Sequence, residues 1–447
     1  MSRGADFAEV FVEDVQRNSA SLDDGRIENL ASSRDRGVGI RVIRGETTGF
    51  AHTTDLSEAG LSAAAEVAAE AAGAGGGTNV VELRPRSVAA LPMDIDPRSI
   101  PKSEKIALLR EAEAGARGQG QAITQVRVGY GDTVRRIQVA NSEGTLASDH
   151  QTHSQFSVST VASGDAGLQT GYEVAGHQAG FELFERYDVG ALGQAAASRA
   201  LTKLTARPAP SGTIPVVIGP GSGGVMFHEA CGHGLEADLV RKGASVFANR
   251  VGQLVASPLV TIIDDGSMGG EWGQIGIDDE GNIARHNVLI KDGVLVDYMW
   301  DANRARQEGR ASSGNGRRQS YRHLPMVRMT NTYLAAGESD PGDIISGVDY
   351  GVYVAKLGGG QVDTGSGDFV FGMVEAYLIE NGEITAPLRE GQLIGNGPKV
   401  LQLIDAVGND FAMGSPGTCG KDGQGVPVGD GVPTLRVTEL TVGGTAA

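Results

Sequence analysis

Residues 214–238 read IPVVIGPGSGGVMFHEACGHGLEAD. The β-branched run from Ile214 to Ile218 breaks at a glycine-rich turn, and a second apolar segment then carries His228, Glu229 and His233 in the spacing HExxxH. Two imidazoles flanking a carboxylate are a common zinc-hydrolase grouping: the ring nitrogens hold a metal, and the glutamate takes a proton from water. The spacing carries a physical demand. Residues four apart lie about 40° around a regular helix, whereas residues five apart lie about 140° around and face different ways. His228 and His233 can share an ion only if the helix takes a π-type bulge or ends between them. Gly232 and Gly234 bracket the second histidine, where a helix breaks at low steric cost. A distorted helix is therefore expected here, and polar helix residues with no metal are the bland alternative.

Outward from this stretch, the chain of 447 residues has room for two or three domains. Its net charge of −17 argues against a nucleic-acid partner, which would favour a basic face. Glycine, 67 residues, falls largely in short turns between β-branched runs, which predicts many hairpins in the second half. Acidic residues interrupt the N-terminus before any signal-peptide core forms, and no apolar stretch is long enough to span a membrane. Two cysteines, Cys231 and Cys419, make no disulfide framework, so a reducing cytoplasm is the expected location.

The fold expected is α+β. Residues 6–14 alternate in part between apolar and acidic positions, the pattern of a half-buried strand, and 37–53 read as two strands about Gly45. Asp55 is the expected cap of an alanine-rich helix running to about Ala74. The run GAGGG at 73–77 closes an N-terminal α/β domain, 1–77. A middle α+β domain, 78–211, holds a helix from Ser103, strands over 123–164 broken by Gly131, Gly144 and Gly164, and a helix at about 189–206. The region 212–447 is expected as a mainly antiparallel β domain wrapped around the metal-bearing helix, with hairpin turns at Lys291-Asp292-Gly293 and Glu380-Asn381-Gly382.

Several signals are weaker. Gly219, Gly221 and Gly224 formally satisfy GxGxxG, but the turn contains Pro220 and no βαβ repeat follows. His150 and His153, three apart in a strand, point to opposite faces and read as solvated histidines. Asp278-Asp279-Glu280 lacks EF-hand spacing and reads as turn and capping carboxylates. A catalytic zinc needs a third protein ligand. Cys419, in the open loop GSPGTCGKDGQGVPVG with a lysine near enough to favour thiolate, leads Glu236; Asp238 and Cys231 are further candidates.

The sequence HEACGHGLEAD resembles the HExxGHGLEGD signature of the TldD/TldE (PmbA) family of metallopeptidases, with Ala237 where glycine is usual. Further runs match: IDDEG at 277–281, NGRRQSYRHLPMVRMTNTY at 315–333, GGGQVDTGSGDFVF at 358–371 and GTCGKDGQGVPVGDGVPTLRV at 417–437. The resemblance implies zinc held by His228, His233 and Cys419, with Glu229 as catalytic base. It implies broad hydrolysis of unfolded or short linear peptides, or maturation of peptide natural products. It also implies a TldD-type catalytic subunit working as a heterodimer with a TldE-type partner, or as a homodimer. Tyr321 and His323 are candidates for stabilising the oxyanion, and Gly358, Gly359 and Gly360 for a strand edge open to an extended peptide. A cofactor-binding or scaffolding protein, or a zinc amidase acting on a non-peptide amide, are the alternatives.

Overall fold

The computed structural model describes residues 4–444 apart from 75–79, 87, 89–90, 92 and 166. It is a mixed α+β protein in which two β-rich portions meet along a face dense in buried charge. The last three residues of the GAGGG run, 75–77, lie outside the described residues.

The first portion is a seven-stranded sheet. β1 (Phe7–Asp23), β2 (Arg26–Arg44) and β3 (Thr47–Thr53) form a meander, followed by α1 (Glu58–Ala71) and the short β4 (Arg84–Arg86). After α2 (Lys102–Arg117) come β5 (Ile123–Asn141), β6 (Thr145–Gly164) and β7 (Gly167–His177), and then α3 (Val189–Thr205). β1 pairs antiparallel with β5, so the sheet runs continuously across the boundary placed at residue 77. Gly131 does not interrupt β5; it sits opposite Ser19 and Gln155 within the ladder. The α1 cap is Ser57, whose hydroxyl accepts from the Gly60 N–H, while Asp55 accepts from Ser57 one turn earlier. α1 covers Val38, Ile40 and Val42, and α2 with α3 covers Val126, Val128, Phe156 and Val158.

β1 departs from the half-buried reading. Phe7, Glu9, Phe11, Glu13 and Val15 share its buried face, and Ala8, Val10 and Val12 pack under α1 on the other. The acidic residues point inward because cations await them. Arg41 bonds Glu9 at 2.8 Å and Glu280 at 2.7 Å, Arg318 also reaches Glu9, and Arg135 bonds Glu13 at 2.7 Å and Asp279 at 2.9 Å. Asp279 and Glu280 thus do more than cap turns, since they tie the second portion to the first sheet, whereas Asp278 is the turn carboxylate the sequence suggests, accepting from the Glu280, Asn282 and Gly316 N–H groups. Removing either member of such a buried pair strands the other, at a cost of about 3–5 kcal/mol.

The second portion holds β8 (Gly212–Ile218), β9 (Ile262–Asp265), β10 (Asn331–Leu334), β11 (Tyr350–Val362), β12 (Asp368–Glu380) and β13 (Gln392–Asn396). A hairpin of β14 (Gly417–Lys421) and β15 (Gln424–Val432) precedes the last strand, β16 (Leu435–Gly443). The order β11–β8–β16–β13–β12 closes into a ring because β12 also pairs with β11. Only the β8–β11 contact in this ring is parallel. β9, β10, β15 and β14 build a second sheet beside it. Among the described residues the ring's one parallel pair, β8–β11, is separated in sequence by β9 and β10 and not joined by a single crossover helix, so the structural context a dinucleotide fingerprint needs is missing. The expected hairpin turns form, with Asn381 at φ 55° and Gly382 at φ 79°.

Candidate metal centre

β8 ends at Ile218, buried in the ring, and the chain turns at Gly221 (φ 81°) into the histidine segment. One α-turn, Gly224–Phe227, passes into a π-turn, His228–Gly232, and then a 3-10 turn, His233–Leu235. A π-turn adds one residue to the helical repeat, which brings residues five apart back onto one side. Met226, Phe227, Cys231 and Leu235 anchor the segment in the core of the second portion. The position is tight: a Cβ at Gly397 would run into the Ala230 carbonyl, and one at Gly224 into the Gly431 N–H.

The result is a convergence of donors. The His228 and His233 ring centroids stand 5.0 Å apart with planes at 89°. One ligand atom each from His228, His233 and Cys419 lies within 4.8 Å of the others, and all three residues are buried. Cys419 Sγ is 3.4 Å from His233 Nε2. Cys419 arrives from a different part of the chain, on the β14–β15 hairpin whose turn places Asp422 at φ 48° and Gly423 at φ 74°. The fully buried Arg328 staples that hairpin, donating to the carbonyls of Cys419 and Gln424. Glu229 faces the same space, its Oε2 4.0 Å from His233 Nε2 and its side chain 22% exposed.

Electrostatics favour a thiolate. Burial pushes the Cys419 thiol up, but hydrogen bonds from His228 and His233 outweigh it and bring it down to about 5. Lys421, the neighbouring cation in sequence, is engaged elsewhere: its Nζ lies 2.9 Å from Glu236 Oε2, 2.7 Å from Asp238 Oδ1 and 3.0 Å from the Val327 carbonyl. Glu236 in turn stands 3.1 Å from His233 Nδ1, which orients the ring with Nε2 facing Cys419. The sequence names Glu236 only as a rival ligand, and the pattern holds no sign that it backs His233. Asp430, which the sequence reading missed, lies buried beside the group; burial, opposed by His228, pushes its carboxyl up to about 7.

The remaining candidates make other contacts. The Cys231 thiol donates to the Phe227 carbonyl at 3.1 Å, and burial raises it to about 12. Tyr321 is fully buried against the first sheet, its hydroxyl 3.1 Å from Asp35 Oδ1 and its backbone N–H donating to Glu13. His323 contacts Ser320 Oγ at 2.9 Å. Gly358, Gly359 and Gly360 lie on β11 where its register with β12 shifts. β11 pairs with β8 only over Val352–Val354, so among the described residues no strand covers the Gly358–Gly360 stretch on that side. His153 is not solvated: it is buried on β6, with Nε2 2.9 Å from the Trp272 carbonyl.

Two imidazoles gathered by a π-turn and a thiol brought by the β14–β15 hairpin, beside the Glu229 carboxylate, form an N2S donor set suited to a borderline-soft divalent ion. Set in a mixed α+β fold, they define a candidate metalloenzyme centre. The chain belongs to the PmbA/TldD metallopeptidase family: the model of the PmbA/TldA metallopeptidase C-terminal domain matches residues 211–444, the central-domain model 95–204 and the domain 1 model 8–72. It is 41% identical to a metalloprotease TldD homolog of Haemophilus influenzae, over 99% of this chain and 94% of that protein. It is 36% identical to a metalloprotease of Methanothermobacter thermautotrophicus, over 98% of this chain and 96% of that one. The crystal structure of TldE from Thermococcus kodakarensis shares the fold at a TM-score of 0.74 and 20% identity, covering 98% of this chain and 97% of that one. A Thermotoga maritima structure whose name connects it with modulation of DNA gyrase shares it at 0.82 and 21%, covering 98% and 96%. At such identities the likeness is one of fold.

Proposed function

We propose that this chain is a zinc-dependent metallopeptidase acting on unfolded or short linear peptides, as the catalytic subunit of a TldD/TldE-type pair or as a homodimer in the cytoplasm. The observation that carries the reading is the convergence of His228, His233 and Cys419 within 4.8 Å, beside Glu229. These three residues are the ligands in this reading. A zinc ion there would polarise the scissile carbonyl and lower the pKa of water.

The rest falls to the chain's own side chains. Glu229, the partly exposed carboxylate beside the donors, takes the proton of the attacking water and returns it to the leaving amine. Glu236 holds His233 by Nδ1, and Arg328 holds the Cys419 hairpin, so the donor set is preorganised. The uncovered side of β11 at Gly358–Gly360 takes an extended peptide by backbone hydrogen bonds, which tolerates many side chains. Tyr321 stays outside this assignment because its hydroxyl serves Asp35, whereas His323 engages Ser320 through Nδ1 alone and stays a candidate oxyanion donor in this reading. No described helix is long and apolar enough to cross a membrane.

The test is a casein-derived peptide digest with the parent and Glu229→Gln, alongside metal analysis. Cleavage should vanish in the variant while zinc stays near one per chain. Parental cleavage by Glu229→Gln would remove the assigned base. Zinc without cleavage in the parent alone would call for addition of a TldE-type chain.

A further inference from the structure

A cavity of about 430 Å³ lies between the first sheet and the back of the β14–β15 hairpin. Gly425, Val426 and Pro427 form one wall, and Val426 stands opposite Cys419 in the hairpin register. None of His228, His233 or Cys419 lines it, so it is distinct from the candidate metal centre. Arg17, Arg135, Arg317 and Arg318 line it, against the carboxylates of Asp132 and Asp279.

Both carboxylates are already engaged. Asp132 binds Lys105 Nζ at 2.8 Å, Asn18 Nδ2 at 2.7 Å and the Tyr130 hydroxyl at 2.7 Å. Asp279 takes Arg135 at 2.9 Å and the Arg318 backbone N–H at 2.7 Å. Arg135 and Arg318 also have Glu13 and Glu9. Arg17 is exposed and, among the described residues, also forms no ion pair; of the three less exposed arginines, Arg317 is the exception. It is 5% exposed, its guanidinium Nη1 donates to the Met329 carbonyl at 2.6 Å, and among the described residues it forms no ion pair. A guanidinium carries five N–H donors, and leaving a buried cation without an anion is costly. Burial accordingly depresses Arg317 to about 10.

We infer that this cavity is a binding site for a carboxylate-bearing ligand, a short peptide whose free carboxylate pairs with Arg317. A planar guanidinium fork matches a carboxylate bidentately. The volume falls in the range of small-ligand sites, about 300–1,000 Å³, and exceeds what a bare ion fills. Trp272, Val426 and Pro427 supply apolar walls for the remainder of the ligand. The choice of a peptide as carrier rests on the peptidase reading; the carboxylate site does not.

The test uses the full chain as purified and follows the fluorescence of Trp272, which lines the cavity and is one of two tryptophans in the sequence. Ala-Ala-Ala, its C-terminal amide, Ala-Asp-Ala amide and inorganic phosphate are titrated, with mass spectrometry of the peptide to separate binding from cleavage. Repeating the titrations in Glu229→Gln keeps failure of the peptidase reading apart from failure of this one. The free acid should saturate, with the amide about 10-fold or more weaker. Arg317→Met should weaken the acid by a similar factor and erase the difference between acid and amide. Tight binding of Ala-Asp-Ala amide would assign the carboxylate to a side chain as well as to the C-terminus. Acid and amide binding alike, phosphate binding more tightly than the peptide acid, or no saturable response would each overturn the inference. Should Arg317→Met fail to fold, the acid–amide comparison in the parent decides alone.

Discussion

Glu236 is not one of the three proposed ligands, yet it is expected to set metal affinity. It is fully buried, its Oε2 lies 3.1 Å from His233 Nδ1 and 2.9 Å from Lys421 Nζ, and its charge holds the His233 ring with Nε2 towards Cys419. Glu236→Gln keeps the shape and one acceptor but removes the charge; Glu236→Leu removes both. Loss of a hydrogen-bond partner behind a ligating histidine costs about 10–100-fold in metal affinity, or about 1.4–2.8 kcal/mol. Because glutamine still accepts from Nδ1, about 10-fold is expected for Glu236→Gln and a value nearer 100-fold for Glu236→Leu. Zinc dissociation constants from chelator competition near neutral pH read this directly. Urea denaturation of the metal-free proteins separates a folding defect from a binding one. Lys421 keeps Asp238 at 2.7 Å in either variant, so the hairpin retains an anchor. Zinc affinity within about twofold of the parent in Glu236→Gln, with folding intact, would refute the idea that this carboxylate orients His233.

His153 gives a pH dependence. Burial pushes its imidazole down to about 4 from an ordinary 6.5, so the folded state holds it neutral where the unfolded chain is protonated. Its contribution is fully present above about pH 6.5 and is lost as pH falls towards about 4, a swing of roughly 3 kcal/mol. His153→Gln, which keeps a donor for the Trp272 carbonyl, should flatten the fall in urea midpoint over that interval; an unchanged acid profile would exclude His153 as its source. Gly397→Ala would press a methyl into the Ala230 carbonyl inside the π-turn. It should cost about 1–3 kcal/mol by urea denaturation and weaken zinc binding, whereas parental values for both would show that the turn is not tightly held.

The sequence was most legible where a motif imposed a geometric demand. HExxxH required a π-bulge or a break, and the chain supplies a π-turn over His228–Gly232. The helices near 103 and 189 and the hairpin at Gly45 were also legible, because periodicity and turn chemistry are local. The third donor was legible as the leading candidate, but for an incomplete reason: Cys419 meets His233 across 186 positions of sequence, and its open-loop character is a weak cue to a residue that the fold buries. Alternation misled at β1, since Glu9 and Glu13 look solvent-facing until Arg41, Arg135 and Arg318 arrive from distant segments. The same long-range pairing hid the roles of Asp279 and Glu280 and made Lys421 look like the source of the thiolate. Charge partners brought together by the fold leave no periodic trace, so their positions emerge only in three dimensions.

The central claim is a zinc ion held by two histidines and Cys419, and X-ray absorption at the zinc edge of the purified chain tests it most directly. The account predicts near-stoichiometric zinc with one sulfur at about 2.3 Å and nitrogen neighbours at about 2.0–2.1 Å, the sulfur and most of the metal disappearing in Cys419→Ser. A zinc shell without sulfur, or the same shell in Cys419→Ser, would contradict it.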